Sequence, residues 1–420
     1  MRSSKRDARL LRWLPPAMLL LFAGISVADP LRHETYIWQR AWTDPVRAAI
    51  AEASPKIDGF CALGGEVSWQ QGHPHVLHVP VDWPALRRAG KPFGVALRIG
   101  AYNGPFTATG EVTQALADLA AMLVKEAGQP MELQLDFDCA ASKLDGYRVW
   151  VAALRQRIAP VPLVVTVLPS WMDSKGFVPL VRAASGFVLQ VHSLERPVGS
   201  DVPLTLCDAD AARRWVERAT QYGVPFRVAL PTYGYLVAFD GGGKFLGLSA
   251  EGPSKAWPTN AVLRTVRADA PALAKLVQEW TRHRPEKLTG VIWYRLPTTG
   301  DTLNWRWLTL AEILAGRLPA ANITVSAATA EGVIELQARN TGTADGAFPK
   351  EVSVEWSDVA LVAADAVGGY ERLDSARGKF MLRANPLLES YRLAPGEVRV
   401  IGWLRLSKAA EVAIHVTPHL

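Results

Sequence analysis

Residues 131–139 hold the densest chemistry of the chain: Met-Glu-Leu-Gln-Leu-Asp-Phe-Asp-Cys. The run alternates polar and apolar as a β-strand does. Gln134, Asp136 and Asp138 then share one face, and Leu133, Leu135, Phe137 and Cys139 share the other. The apolar set fits beneath a helix. The polar set lines an interior, with its charge gathered at the strand's C-terminal end. Buried carboxylates are costly unless paired, so this end reads as the mouth of a ligand site. An alternative is a purely structural charged layer, with arginine compensating aspartate.

The ends of other predicted strands supply matching side chains: Trp38, Arg98, His192, Tyr233 and Tyr235, and Trp293 with Arg295 sharing one face. Aromatic rings suit the apolar C–H faces of a sugar, and carboxylates and guanidinium groups suit its hydroxyls. We therefore expect carbohydrate as the partner, Asp136 and Asp138 as catalytic residues, and those seven together with Gln134 as substrate-binding residues. Trp171 and Trp257 extend the aromatic platform. Nearby arginines favour ionised aspartates, which suit a nucleophile, a base or a stabiliser of a cationic centre but not a proton donor. The donor is then expected elsewhere, at Glu195 first and Glu66 second.

Strands must carry these residues to one end of one body. Eight strand candidates, Thr35–Trp42, Ile57–Leu63, Phe93–Gly100, Met131–Cys139, Leu163–Leu168, Gly186–Ser193, Phe226–Tyr233 and Gly290–Leu296, alternate with amphipathic stretches such as Glu111–Ala127 and Ala270–His283. His73–Val79 reads as an extra strand. The spacing predicts an α/β fold, a TIM-type (β/α)8 barrel over residues 29–319. A loop after the seventh strand, with a turn at Asp240–Gly243, predicts a hairpin above the barrel's C-terminal face. Its Gly-Gly-Gly-Lys lacks the spacing and the following Ser or Thr of a phosphate loop. From about Pro319 the texture changes to short alternating runs broken by turns such as Asn340-Thr341-Gly342. Residues 320–420 read as an immunoglobulin-like β-sandwich.

The fourth strand, Leu133-Gln-Leu-Asp-Phe-Asp, resembles the Asp-x-x-Asp-x-Asp-x-Glu signature of family 18 chitinase-type glycoside hydrolases. Asp136 and Asp138 match its last two aspartates, and the family's proton-donating glutamate falls on Ala140. A second resemblance spans most of the barrel, through Tyr36-Ile-Trp-Gln-Arg, Leu135-Asp-Phe-Asp-Cys, Leu189-Gln-Val-His, Pro231-Thr-Tyr-Gly-Tyr and Ile292-Trp-Tyr-Arg-Leu-Pro. These are similar to an uncharacterised family of exported bacterial barrels, domain of unknown function 3142. That resemblance implies a glycosidase-like barrel and no established activity.

Composition excludes one partner class. The chain of 420 residues has a formal charge of +6, but residues 1–28 contribute five basic side chains and one acid, which leaves the remainder at +2. A near-neutral body with no basic cluster gives no electrostatic footprint for nucleic acid. The same basic segment leads into an apolar run, Ala17–Ile25, and then Ser26-Val27-Ala28, the pattern of a signal peptide cleaved before Asp29. We expect a periplasmic or secreted protein with no membrane span after cleavage. Three cysteines, Cys61, Cys139 and Cys207, do not make a disulfide scaffold. No cofactor and no metal are expected. A metal-dependent hydrolase built on Asp136, Asp138 and His192 is the lesser alternative, and so is a metal at His73-Pro-His-Val-Leu-His78. Ala140 motivates another alternative to catalysis, a non-catalytic carbohydrate-binding barrel.

Overall fold

A computed structural model describes residues 30–70, 72–194, 196–250, 256–386, 388 and 391–417. The segment read as a signal peptide and the expected acid Glu195 lie outside these residues. In chain order the first part comprises β1 (Arg32–Ile37), α1 (Asp44–Ala53), β2 (Gly59–Gln70), β3 (His73–His78), α2 (Trp83–Arg88), β4 (Phe93–Ile99), α3 (Glu111–Ala127), β5 (Leu133–Phe137), α4 (Leu144–Ile158), β6 (Leu163–Val167), α5 (Phe177–Ala183), β7 (Gly186–Gln190), α6 (Ala209–Thr220) and β8 (Phe226–Pro231). There follow β9 (Gly234–Phe239), β10 (Phe245–Ser249), β11 (Val262–Arg267), α7 (Ala270–Arg282), β12 (Leu288–Tyr294) and α8 (Trp307–Leu314).

The sheet runs β1-β12-β8-β7-β6-β5-β4-β2, and β1 also pairs with β2. Every one of these pairings is parallel, so eight strands close a (β/α)8 barrel. The helices hold because their apolar stripes meet the outer faces of the strands. On α3, Leu116, Leu119, Ala120 and Leu123 are buried, and Gly128 ends the helix in the left-handed region at φ 67°. Asp208 and Asp269 cap α6 and α7 by accepting from Ala211 N and Ala272 N.

Two additions decorate the barrel. β3 pairs antiparallel with the far half of β2. Its His73 and His78 meet Glu111 and Glu126 of α3. Above the C-terminal face, β10-β9-β11 forms a three-stranded antiparallel sheet. The hairpin turn is held by the Asp240 side chain, which accepts from the amides of Gly242 and Lys244, each at 2.9 Å. The third strand, β11, does not stand out in the sequence, where Val-Leu-Arg-Thr-Val-Arg reads as easily as loop.

The second part comprises β13 (Ile323–Ala330), β14 (Val333–Asn340), β15 (Gly346–Ala347), β16 (Glu351–Glu355), β17 (Leu361–Ala366), β18 (Tyr370–Ala376), β19 (Lys379–Ala384), β20 (Arg392–Leu393), β21 (Val398–Leu406) and β22 (Ala413–Thr417). Sheets β13-β14-β21-β17 and β18-β19-β16-β22 are all antiparallel. They bury Leu336, Val352, Val354, Phe380, Leu382 and Ile401 in one core, as a β-sandwich does. Asn340, fully buried, pins a corner: its Nδ2 donates to Ala344 O and Leu393 O, both at 2.8 Å. The barrel and the sandwich meet through Arg267 Nη1 and Asp345 Oδ2, 2.8 Å apart.

Candidate active site

Alternation on the closed barrel assigns two interior levels. At the N-terminal end the buried Arg227 of β8 bridges Glu34 of β1 and Glu132, the residue just before β5, with Arg227 Nη2 to Glu132 Oε1 at 2.5 Å. This is a sealed ionic layer. Gln134 sits above it, completely buried: its Nε2 donates to Glu132 Oε1 and its Oε1 accepts from the Tyr36 hydroxyl, both at 2.6 Å. The expectation that Gln134 touches a ligand is thus corrected. Its hydrogen bonds are spent inside the barrel, one layer below the mouth.

The mouth is different. A cavity of about 260 Å³ lies over the C-terminal strand ends, walled by Tyr36, Trp38, Arg98, Asp136, Asp138, Thr166, Gln190, His192, Tyr233, Tyr235 and Tyr294. Leu248 of the hairpin overhangs it. It shares Trp38, Arg98, Tyr233, Tyr235 and Tyr294 with an adjoining groove of about 730 Å³. Six of the eight residues expected to bind substrate and two of the three expected catalytic residues therefore converge on one concave surface. Six barrel strands, β1, β4, β5, β7, β8 and β12, and the segments after them supply this set.

Register explains the electrostatics. Glu66, Arg98 and Asp136 lie side by side across β2, β4 and β5. Arg98 Nη1 stands 3.5 Å from Asp136 Oδ2, while Thr166 Oγ1 donates to Asp136 Oδ1 at 2.8 Å. Asp136 is only 7% exposed. Burial pushes its carboxyl up to about 6, opposed by Arg98 and the Thr166 hydrogen bond and reinforced by Asp138. The direction of the shift is the reverse of that expected from arginine: desolvation outweighs one guanidinium whose side chain is 43% exposed to water. Asp138, one residue past the end of β5, is exposed. The second candidate acid, Glu66, lines the groove and is clasped by Arg40, Nε to Oε2 at 2.8 Å.

The aromatic wall also departs from expectation. Trp293 is completely buried and belongs to the layer between strands and helices, where its Nε1 meets His33 Nδ1 at 3.2 Å. The inward residue of β12 is Tyr294, which packs with Ile292 and Tyr36 inside the barrel. Tyr294 is the hub of the wall: its ring lies 5.3 Å from Trp38, 5.5 Å from Tyr233 and 5.6 Å from His192. Arg295 lines the groove rather than the cavity, and it pairs with Asp301. Trp171 is also buried, donating to Cys139 O at 3.0 Å, and offers no platform.

His192 contacts Tyr233 Oη through Nδ1 at 3.2 Å, and burial lowers it to about 3, so the ring is neutral. It does not converge with the two aspartates on a cation. Among the described residues no group of three or more His, Cys, Asp or Glu is placed to hold a metal.

The family described as "Domain of unknown function (DUF3142)" matches residues 90–299, half of the 420 residues. The chain belongs to that family. In this DUF3142 protein the matched stretch contains Arg98, Asp136, Asp138, His192 and Tyr233, and it ends just past Tyr294. A second family, "Domain of unknown function (DUF8456)", matches residues 323–407 in the sandwich. No curated protein matches the DUF3142 chain in sequence. Among solved structures it is similar to the spore cortex-lytic enzyme SleL of Bacillus megaterium QM B1551, at 14% identity over 69% of this chain and 74% of that one, with a TM-score of 0.49. It is also similar to a chitinase from Chromobacterium violaceum ATCC 12472, at 14% identity over 68% of this chain and 98% of that one, with a TM-score of 0.49. Neither likeness bears on which residues of the DUF3142 protein do chemistry.

Proposed function

We propose that the barrel mouth is the active site of an exported glycoside hydrolase acting on a polysaccharide, with Asp136 as proton donor and Asp138 as its carboxylate partner. One observation carries this reading: a buried aspartic acid, pushed to about 6, beside an exposed aspartate in a cavity walled by aromatic rings. A general acid must hold its proton near working pH, and Asp136 meets that need without a glutamate at position 140. It gives its proton to the departing glycosidic oxygen, while Asp138 steadies or attacks the anomeric centre. Trp38 and Tyr294 supply faces for the sugar ring, and Arg98 spans the boundary between cavity and groove.

The test is release of reducing ends from a polysaccharide panel by the purified protein. Turnover that falls about 100-fold or more in Asp136→Asn, with the fold retained, supports the reading. A second reading, a non-catalytic carbohydrate-binding barrel, is favoured by Ala140 and by the engagement of Asp136 with Thr166 and Arg98. Glycan binding unchanged in Asp136→Asn, with no product after long incubation, selects it.

Export rests on the basic segment, the apolar run and the Ala28-Asp29 junction. A mature N-terminus at Asp29 in the periplasm or medium supports it. An intact Met1 retained in the cytoplasm contradicts it.

A further inference from the structure

Charged side chains crowd the mouth and its groove, and each cation among them is answered by an acid. Three arginines and no lysine line the two spaces among the described residues: Arg40, Arg98 and Arg295. Arg40 clasps Glu66 with two hydrogen bonds, Nε to Oε2 at 2.8 Å and Nη2 to Oε1 at 3.1 Å. Arg295 meets one oxygen of Asp301, whose other oxygen accepts from the Thr298 amide and from Asn304 Nδ2. Arg98 reaches Asp136 and lies in the field of Asp138 and Glu66 as well. Four carboxyl groups thus face three guanidinium groups. With Asp136 holding its proton the lining is balanced, and with Asp136 ionised it is negative by one. His192 adds no charge, because burial keeps its ring neutral.

We infer that the mouth and groove select an uncharged polysaccharide and turn away chains that carry carboxylate, sulfate or phosphate. The inference rests on the reading of the mouth as a carbohydrate site and narrows its substrate class. An entering anion finds no cation left over. It stands against the exposed Asp138, and it can recruit an arginine only by taking it from Glu66, Asp136 or Asp301, all largely covered from water. A carboxylate deprived of its partner in such a place is costly, and like charges set side by side oppose binding. A neutral sugar incurs neither cost. Its hydroxyls donate to the carboxylates and accept from the guanidinium groups without breaking a pair, and its C–H faces suit the rings of Trp38 and Tyr294.

The experiment measures turnover by the wild type and binding by Asp136→Asn on polymers paired by backbone: hydroxyethyl cellulose with carboxymethyl cellulose, glycol chitin with carboxymethyl chitin, and methyl-esterified pectin with polygalacturonate. At about pH 6 the added carboxylates are ionised. On any backbone that is bound, the neutral member should be favoured at least about tenfold. Its affinity should stay within about twofold when salt is raised to about 0.5 M. Glu66→Gln frees Arg40, whose side chain is 68% exposed, so the fold should hold. That variant should bind the carboxylated member at least about threefold better than Glu66 protein does, and high salt should abolish the gain. A carboxylated member bound as well as its neutral counterpart overturns the inference, and so does a Glu66→Gln protein that discriminates as the wild type does. Neutral members bound with no reducing ends released remove the hydrolytic reading and leave the preference standing. Binding of none of these polymers overturns both.

Discussion

The charge on Asp136 is decided by competition between burial and its partners. Thr166 and Arg98 favour the carboxylate; loss of water and the neighbouring Asp138 favour the acid, and the second pair prevails. The sign of the stability effect follows. A carboxyl raised in the folded state contributes stability that is full below its unfolded value of 3.8 and lost as pH rises through about 6. Between pH 4 and pH 7 the wild type should lose up to about 3 kcal/mol at this site. Asp136→Asn should lack that loss, gaining on the wild type as pH rises; denaturant melts at the two pH values measure it, and parallel curves contradict it. Removing the hydrogen bond in Thr166→Val should raise the carboxyl further. The alkaline limb of the pH–rate profile then moves upward, whereas a merely structural Thr166 would change amplitude and leave the limb in place. Asp136 was legible in sequence because β5 is polar on one face and apolar on the other. Thr166 was not, since a threonine in Leu-Val-Val-Thr-Val is ordinary strand filler.

Among the elements, β12 shows where alternation loses its power. Parallel barrel strands are covered on both faces. In Gly-Val-Ile-Trp-Tyr, the inward set Gly290, Ile292, Tyr294 and the outward set Val291, Trp293 are equally apolar. Nothing in that run fixes the phase, so the expectation that Trp293 faces the mouth fails and Tyr294 faces it instead. The consequence is testable with two substitutions. Trp293→Ala empties a core site and should cost about 3–5 kcal/mol in denaturant unfolding, with glycan affinity of the folded fraction unchanged. Tyr294→Ala should weaken glycan binding at least about tenfold. The converse pattern would return the platform to Trp293. The β9–β10 hairpin, by contrast, was legible from its Asp-Gly-Gly-Gly turn, and it places Tyr235 and Leu248 over the mouth.

For the molecule as a whole, the barrel answers the structural alternative by holding both kinds of charged layer. The sealed knot of Arg227, Glu34 and Glu132 occupies the N-terminal end, and the open pair occupies the mouth. Of these three, Glu132 shares a face with Asp136 and could have been read from the strand. Glu34 and Arg227 are lone charges on distant strands, visible as partners only once the barrel closes. Arg227→Ala leaves Glu132 without its cation and Glu34 with only the half-exposed Arg32 at 3.7 Å, and should cost about 3–5 kcal/mol in urea unfolding; a loss under about 1 kcal/mol would mean the layer is solvated. The barrel and the sandwich were legible from the change of period near Pro319. Strands β17–β19 were less so, because polar residues interrupt their alternation.

The most direct measurement is a crystal structure of the Asp136→Asn protein with an oligosaccharide from the panel that it binds. A glycosidic oxygen within hydrogen-bond reach of the side chain at 136, with a sugar ring against Trp38 or Tyr294, is the predicted result. A glycan seated elsewhere, with the mouth holding only water, would contradict the assignment of this cavity as the active site.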